Sequence, residues 1–152
     1  MLEEGQKAPA FELVDEENRL RKLKDFQGHP LVLYFYPRAD TPGCTIEANE
    51  FRDALQGFKK LGVAVVGVSS DTPAAQKKFK DKFGLNFPLL CDVDKKVVKA
   101  YDVLKEKNMY GKKVMGIERT TFLIDASGKI ARIFRKVKAE GHAEQVMEAL
   151  KG

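Results

Sequence analysis

Two apolar runs, separated by a stretch long enough for a helix, limit the folds open to this chain more than any other feature. Residues 31–36 (LVLYFY) and 63–68 (VAVVGV) lack polar alternation, which is typical of strands covered on both faces. Between them, Thr41 and Pro42 can begin a helix whose apolar residues recur at helical spacing. Strands joined by a helical crossover are parallel, so these runs predict a βαβ unit.

The rest of the chain extends this unit into an α/β pattern. Turn residues and apolar spacing predict an amino-terminal hairpin (10–14 and 20–23), a helix capped by Asp71 or Thr72, a short strand (87–91), a short helix (94–101), a hairpin (120–124 and 130–134) and a closing helix (about 140–150). This order predicts a mixed central β-sheet flanked by helices, as in thioredoxin-like folds, with an added amino-terminal hairpin. At 152 residues, we expect a single domain spanning 1–152.

The net charge of +5 would by itself permit binding to nucleic acid or an acidic membrane surface. However, the lysines of residues 77–82 alternate with apolar and acidic residues, which favours the solvated face of a helix. No leader-like segment opens the sequence, and no apolar run approaches the ~18 residues of a membrane span. We therefore expect a soluble, cytoplasmic protein that binds neither nucleic acid nor membrane.

Cysteines and histidines are few. Cys44 and Cys91 are too few for a disulfide scaffold and are not spaced for zinc, so a reducing compartment is the simpler expectation. A metal site would require His29, His142 and both cysteines to converge by folding, and we expect none.

Cys44 falls in the first turn of the helix that begins near Pro42. The unpaired N–H groups and the dipole of a helix amino terminus favour a thiolate, which is the reactive form of cysteine. The loop that holds Cys44 also follows a parallel strand, where sites gather in such sheets. A small buried residue without chemistry remains the alternative from position alone.

The surrounding segment, YFYPRADTPGCT, resembles the active-site loop of the peroxiredoxins. The likeness continues in GQKAPAFEL, in FGLNFPLLCD and in YGKKVMGIERTTFLID, and so covers nearly the whole chain. Together these segments resemble the bacterioferritin comigratory protein subgroup, also called Q-type peroxiredoxins. The resemblance implies a thiol peroxidase that needs no flavin, haem or metal, because sulfur supplies the redox chemistry.

The resemblance also implies roles for individual residues. Cys44 would be the peroxidatic thiolate, which attacks peroxide and becomes a sulfenic acid. Arg119 would stabilise the thiolate and the leaving oxygen, whereas its residue type alone suggests a surface arginine. Thr41 would orient the peroxide as well as capping the helix, and Pro37 would shield the site as well as ending the strand. Glu47 would hold the arginine, although a solvent-facing helix glutamate is an equal alternative.

The sequence departs from the subgroup in the residues that would resolve the sulfenic acid. The two common positions of a resolving cysteine carry Asn49 and Lys80 here. Cys91 is the remaining thiol, and its apolar neighbours favour a packed residue. We expect an external thiol, thioredoxin-like or small, to attack oxidised Cys44; resolution by Cys91 is the alternative.

Three other functions share some of these features. A disulfide reductase of the thioredoxin type uses two cysteines separated by two residues, which Cys44 lacks. A cysteine hydrolase would need a histidine such as His29 beside Cys44. A redox sensor that relays oxidation to a partner shares the first chemical step. The prediction is a peroxidase acting on hydrogen peroxide and organic hydroperoxides, as a monomer or weak homodimer.

Overall fold

The computed structural model describes residues 2–151, apart from the side chain of residue 109. The strands are β1 (Glu12–Asp15), β2 (Leu20–Lys22), β3 (Leu31–Phe35), β4 (Ala64–Ser69), β5 (Leu89–Cys91), β6 (Leu104–Met109), β7 (Lys112–Ile117), β8 (Thr120–Ile124) and β9 (Ile130–Phe134). Seven of them form one sheet in the order β2-β1-β5-β4-β3-β8-β9, and β6 and β7 form a separate two-stranded sheet. The helices are α1 (Pro42–Lys60), α2 (Pro73–Phe83), α3 (Lys96–Ala100) and α4 (His142–Lys151), with a 3-10 turn over Leu23–Phe26.

The predicted βαβ unit forms the centre of the sheet. Strand β3 pairs in parallel with β4 and is antiparallel to β8, which makes the sheet mixed. All five residues of β3 are buried, and alternate side chains enter two different apolar clusters. One cluster lies beneath α1, α2 and α4, and the other lies beneath α3. The run without alternation is therefore explained by helices on both faces of the sheet.

Helix α2 confirms the interpretation of the lysine-rich segment. Thr72 is its N-cap and accepts a hydrogen bond from the N–H of Ala75 at 3.2 Å. Phe79 is buried, whereas Lys77 is exposed and lies 2.9 Å from a carboxylate oxygen of Glu17. This face of the helix is solvated and carries local ion pairs.

The hairpin formed by β6 and β7 was not predicted. Half of its strand residues are lysine, glutamate or asparagine, and Val114 and Met115 on β7 are exposed. Burial on one face normally produces the alternation by which a strand is recognised, and this hairpin is mostly exposed. Its last residue, Ile117, is buried and leads directly to Arg119 and β8. Within residues 2–151, the helices lack the length and apolar composition needed to cross a membrane.

Candidate active site

Cys44 lies in the first turn of α1, at the carboxyl end of β3. Helix α1 begins at Pro42, whose fixed backbone angle suits a first helical position, and Thr41 precedes it in extended conformation. The side chain of Cys44 is almost completely buried, with 1% of the residue exposed. Its position beside the unpaired N–H groups of the first turn agrees with the sequence prediction.

Arg119 reaches the sulfur from the other side of the loop. It lies between β7 and β8, 75 residues from Cys44 in sequence, and its Nη2 is 3.4 Å from the Cys44 Sγ. The Nη1 atom of the same guanidinium donates a 2.7 Å hydrogen bond to Oε1 of Glu47. One planar group thus contacts both the thiol and a carboxylate, a geometry that the fork of arginine donors permits.

Glu47 is fully buried one helical turn after Cys44, so it is not the solvent-facing glutamate of the alternative reading. Its Oε2 has no hydrogen-bond partner within the described chain. Burial raises the pKa of Glu47 from 4.5 to about 7, although the charge and hydrogen bond of Arg119 oppose this change. For Arg119 the balance is reversed: burial lowers its pKa, but Glu47 and Cys44 outweigh burial and raise it. The guanidinium therefore carries a permanent positive charge beside the sulfur.

Thr41 lies at the predicted N-cap position, but its side chain does not cap α1. The hydroxyl donates a 2.8 Å hydrogen bond to the backbone carbonyl of Arg38, and no cap bond from this side chain is present within residues 2–151. This corrects the expectation of a capping threonine, because the hydroxyl is directed to a carbonyl of the preceding loop and not to the N–H groups of the first turn. Pro37 lies two residues after the end of β3 and is half-buried, so it lies in the same loop.

Gly43 is a site residue that the sequence reasoning missed. A Cβ atom built on Gly43 would lie 2.9 Å from Nη2 of Arg119, closer than Cβ atoms approach other groups. The absence of a side chain therefore lets the guanidinium approach the helix terminus and the sulfur. The only signal in the sequence is a glycine directly before Cys44 in a helix, where glycine is otherwise unfavourable.

Cys91 is not brought to the site. It ends β5, which is separated from β8 by β4 and β3, whereas Arg119 lies immediately before β8. Three strand spacings correspond to about 14 Å. Both cysteines are free and buried. Burial raises the pKa of Cys91 to about 12, and the nearby carboxylates of Glu16 and Asp15 act in the same direction.

Neither histidine lies in contact with Cys44. His29 is exposed and precedes β3, at the end of that strand opposite to Cys44. His142 is buried, and its Nε2 is 2.7 Å from the hydroxyl oxygen of Thr121. Among residues 2–151, no three His, Cys, Asp or Glu side chains are grouped to hold a metal ion. This geometry gives no support to a cysteine hydrolase.

Comparison with known proteins identifies the family of this chain. The AhpC/TSA family model matches residues 4–133. The chain belongs to the AhpC/TSA family. The putative peroxiredoxin Bcp of Coxiella burnetii is 48% identical over 149 residues, which cover 98% of this chain and 99% of that protein. The peroxiredoxin Bcp of Bacillus subtilis is 46% identical over 150 residues, covering 99% and 96% of the two chains.

Solved structures of AhpC/TSA relatives have the same fold. A cysteine-to-serine variant of peroxiredoxin Q from Xylella fastidiosa matches with a TM-score of 0.95 and 39% identity, covering 99% of this chain and 96% of that chain. The bacterioferritin comigratory protein of Xanthomonas campestris matches with a TM-score of 0.92 and 42% identity, covering 98% of each. The resemblance to Q-type peroxiredoxins and the thioredoxin-like fold are confirmed. The peroxiredoxin relatives also show the function of the chain, which is that of a thiol-dependent peroxidase with peroxide as substrate and a thiol as reductant.

Proposed function

We propose that this AhpC/TSA member reduces hydrogen peroxide and organic hydroperoxides with Cys44 as the peroxidatic nucleophile, and that an external thiol restores Cys44. The contact between the Arg119 guanidinium and the Cys44 sulfur, at 3.4 Å, carries the proposal. A permanent cation at this distance in a buried site stabilises a thiolate much more than it would in water.

The first step transfers two electrons from sulfur to peroxide. The Cys44 thiolate attacks one peroxide oxygen, an S–O bond forms and the O–O bond breaks. The departing oxygen leaves as hydroxide or alkoxide and takes a proton to become water or an alcohol, while Cys44 becomes a sulfenic acid. Negative charge moves from the sulfur to the leaving oxygen, so the cation of Arg119 stabilises the thiolate and the developing charge in turn.

Thr41 and Pro37 are proposed to position the peroxide. Because the Thr41 hydroxyl donates to the carbonyl of Arg38, its oxygen keeps lone pairs that can accept a hydrogen bond from a peroxide O–H. Such a bond would orient the O–O axis toward the sulfur. Pro37, half-buried in the same loop, would limit access of water. Glu47 would act through Arg119 by fixing its orientation.

The second step is proposed to use a thiol from outside the chain. An internal disulfide requires Cα atoms within about 7 Å, whereas β5, which ends at Cys91, lies two strand spacings, about 10 Å, from β3, the strand that leads to Cys44. A thiol whose pKa is raised to about 12 is also almost entirely protonated at neutral pH and attacks slowly. These two observations favour an external thiol over Cys91. The external thiolate attacks the sulfenic sulfur, water leaves, and a second thiol breaks the mixed disulfide.

The organic substrates and the reductant are proposed by analogy. The Xanthomonas campestris relative is described by its alkyl peroxide reduction activity. We extend that substrate class to this chain, together with a thioredoxin-like or small thiol reductant, a cytoplasmic location, and a monomer or weak homodimer. The single domain over residues 1–152 stays a prediction of the same kind.

Intact-protein mass spectrometry after one equivalent of peroxide tests the proposal. We expect wild type and Cys91→Ser to gain one oxygen on Cys44, or its trapped adduct, and Cys44→Ser to gain none. Cys91→Ser should also keep turning over peroxide with dithiothreitol. A Cys44–Cys91 disulfide in wild type, with a Cys91→Ser variant that stops after one turnover, would show that Cys91 resolves the sulfenic acid.

A redox sensor that relays oxidation to a partner is the remaining alternative, and it shares the first step. Sustained peroxide consumption with a recycling thiol, at many equivalents per chain, supports the peroxidase. Oxidation that stops at one equivalent in the presence of that thiol supports the sensor.

A further inference from the structure

The loop between β3 and α1 adopts an unfavourable backbone conformation. Asp40 has a φ of +58°, in the left-handed region, although it is not glycine. Asp40 directly precedes Thr41, whose hydroxyl and backbone lead into the first turn of α1. A non-glycine residue in this region persists when surrounding contacts determine the conformation.

Asp71, in the segment between β4 and α2, supplies such a contact. Its Oδ2 accepts a 2.7 Å hydrogen bond from the backbone N–H of Ala39, which lies beside Asp40. The same oxygen accepts a 2.7 Å hydrogen bond from the hydroxyl of Ser69. A carboxylate that accepts two short hydrogen bonds is a strong anchor, since hydrogen bonds to charged acceptors are among the stronger ones.

Buried side chains fix the position of this carboxylate. The Ser69 hydroxyl accepts a 2.9 Å hydrogen bond from Nε2 of Gln76, on α2. Oε1 of Gln76 accepts a 2.5 Å hydrogen bond from the hydroxyl of Tyr36, the residue directly after β3. Ser69, Gln76 and Tyr36 are all fully buried. The network therefore joins β3, β4 and α2, and it ends at the backbone of the loop.

We propose that Asp71 is a positioning residue for peroxide reduction. It holds the segment from Pro37 to Thr41 in the conformation that presents the Thr41 hydroxyl and the amino terminus of α1 to a peroxide at Cys44. This inference rests on the proposed function. Loss of the anchor loosens the loop but leaves Arg119 beside the sulfur, so the sulfur still reacts with other electrophiles while the peroxide is poorly oriented.

Three variants separate positioning from a general loss of stability. Asp71→Ala removes both hydrogen bonds, whereas the amide oxygen of Asp71→Asn can accept both in the same place. Thr72→Ala is the control, because it removes the N-cap bond of α2 one residue later and leaves the loop contact intact. Two rates are measured for each protein in single turnover: oxidation of Cys44 by hydrogen peroxide and its alkylation by iodoacetamide.

For Asp71→Ala we expect oxidation to slow about tenfold, the usual scale for losing a charged hydrogen bond, with alkylation unchanged or faster. Asp71→Asn should keep at least half of the wild-type oxidation rate, and Thr72→Ala should match wild type in both reactions. The inference is overturned if Asp71→Ala oxidises at the wild-type rate, if both reactions slow equally, or if Asp71→Asn is as slow as Asp71→Ala.

If Asp71→Ala does not fold, Ser69→Ala provides the second variant. It removes one of the two bonds to the carboxylate, while Gln76 keeps its bond to the carbonyl of Leu90 at 2.9 Å. It should slow oxidation about threefold without slowing alkylation, and an unchanged oxidation rate contradicts the inference. Failure of the proposed function is distinguishable, because wild type itself would then not consume peroxide.

Discussion

Replacing Glu47 with glutamine should change how the stability of this protein depends on pH. Burial raises the pKa of Glu47 from 4.5 to about 7 in the folded protein. Below pH 4.5 the carboxyl is protonated in both the folded and the unfolded chain, so it imposes no penalty. As the pH rises from 4.5 to 7, the unfolded chain releases the proton first, and the free energy of unfolding falls. Above pH 7 the loss is complete.

The size of the loss follows from the two pKa values. One pH unit corresponds to about 1.4 kcal/mol, so a carboxyl whose pKa rises from 4.5 to about 7 weakens the fold by about 3 kcal/mol above pH 7. Glutamine does not titrate, and its amide oxygen can still accept the hydrogen bond from Arg119. Burial of the amide NH₂ group changes the free energy of unfolding of the variant by an amount that does not depend on pH. The change in the difference between the two proteins is independent of that amount.

Urea unfolding at pH values from 4.5 to 8 measures this change. Both proteins carry Cys44→Ser, so that thiol ionisation does not contribute. The stability of the glutamine variant relative to its parent should rise by about 3 kcal/mol across this range. Glu148→Gln, at an exposed position of α4, is the control and should give a flat difference. A flat difference at Glu47 would mean that its buried carboxylate is not destabilised, and the reasoning would be refuted.

Two further variants test the guanidinium beside the sulfur. Arg119→Ala is made together with Glu47→Gln, so that no unpaired carboxylate stays buried. This double variant should oxidise Cys44 at least about tenfold more slowly than Glu47→Gln alone, and an equal rate in stopped flow would place Arg119 outside the chemistry. Gly43→Ala should slow oxidation about fivefold because its Cβ would displace the guanidinium, while the melting temperature holds or rises. Gly57→Ala, also in α1, is the control, because its Cβ would lie at the same 2.9 Å from the methyl carbon of Met147. Equal slowing in both variants would contradict this explanation.

The sequence predicts the elements whose burial is complete. Residues 31–36 and 63–68 are apolar on both faces because helices cover both sides of the sheet, and this pattern predicted a parallel pair. Pro42 at the first helical position predicted where Cys44 would lie. Arg119 is different, since its residue type at the start of a strand indicates a surface arginine. Only its place in a segment that resembles the peroxiredoxins pointed to the site.

Other features depend on contacts between distant segments, which a single sequence does not display. The role of Gly43 exists only because Arg119 approaches from 76 residues away. Asp71 is a residue type that often caps helices, so its sequence position suggests no other role. Its contact with Ala39 depends on how the loops after β3 and β4 meet at the carboxyl ends of these strands. The hydroxyl of Thr41 could accept a cap bond from the first turn of α1 or donate to a nearby carbonyl. With the turn at Asp40 it donates to the carbonyl of Arg38.

Glu47, through its pair with Arg119, affects both the free energy of unfolding and the reduction of peroxide. A loss of about 3 kcal/mol is large compared with the 5–15 kcal/mol that stabilises a typical domain. Removing the carboxylate would relieve it, but a buried guanidinium needs an acceptor that fixes its direction. Oε1 of Glu47 holds Nη1 at 2.7 Å, and the rigid fork then directs Nη2 to the Cys44 sulfur at 3.4 Å. The carboxylate that weakens the fold is thus the group that orients the positive charge, so substitutions at position 47 that stabilise the chain but remove this acceptor should slow peroxide reduction.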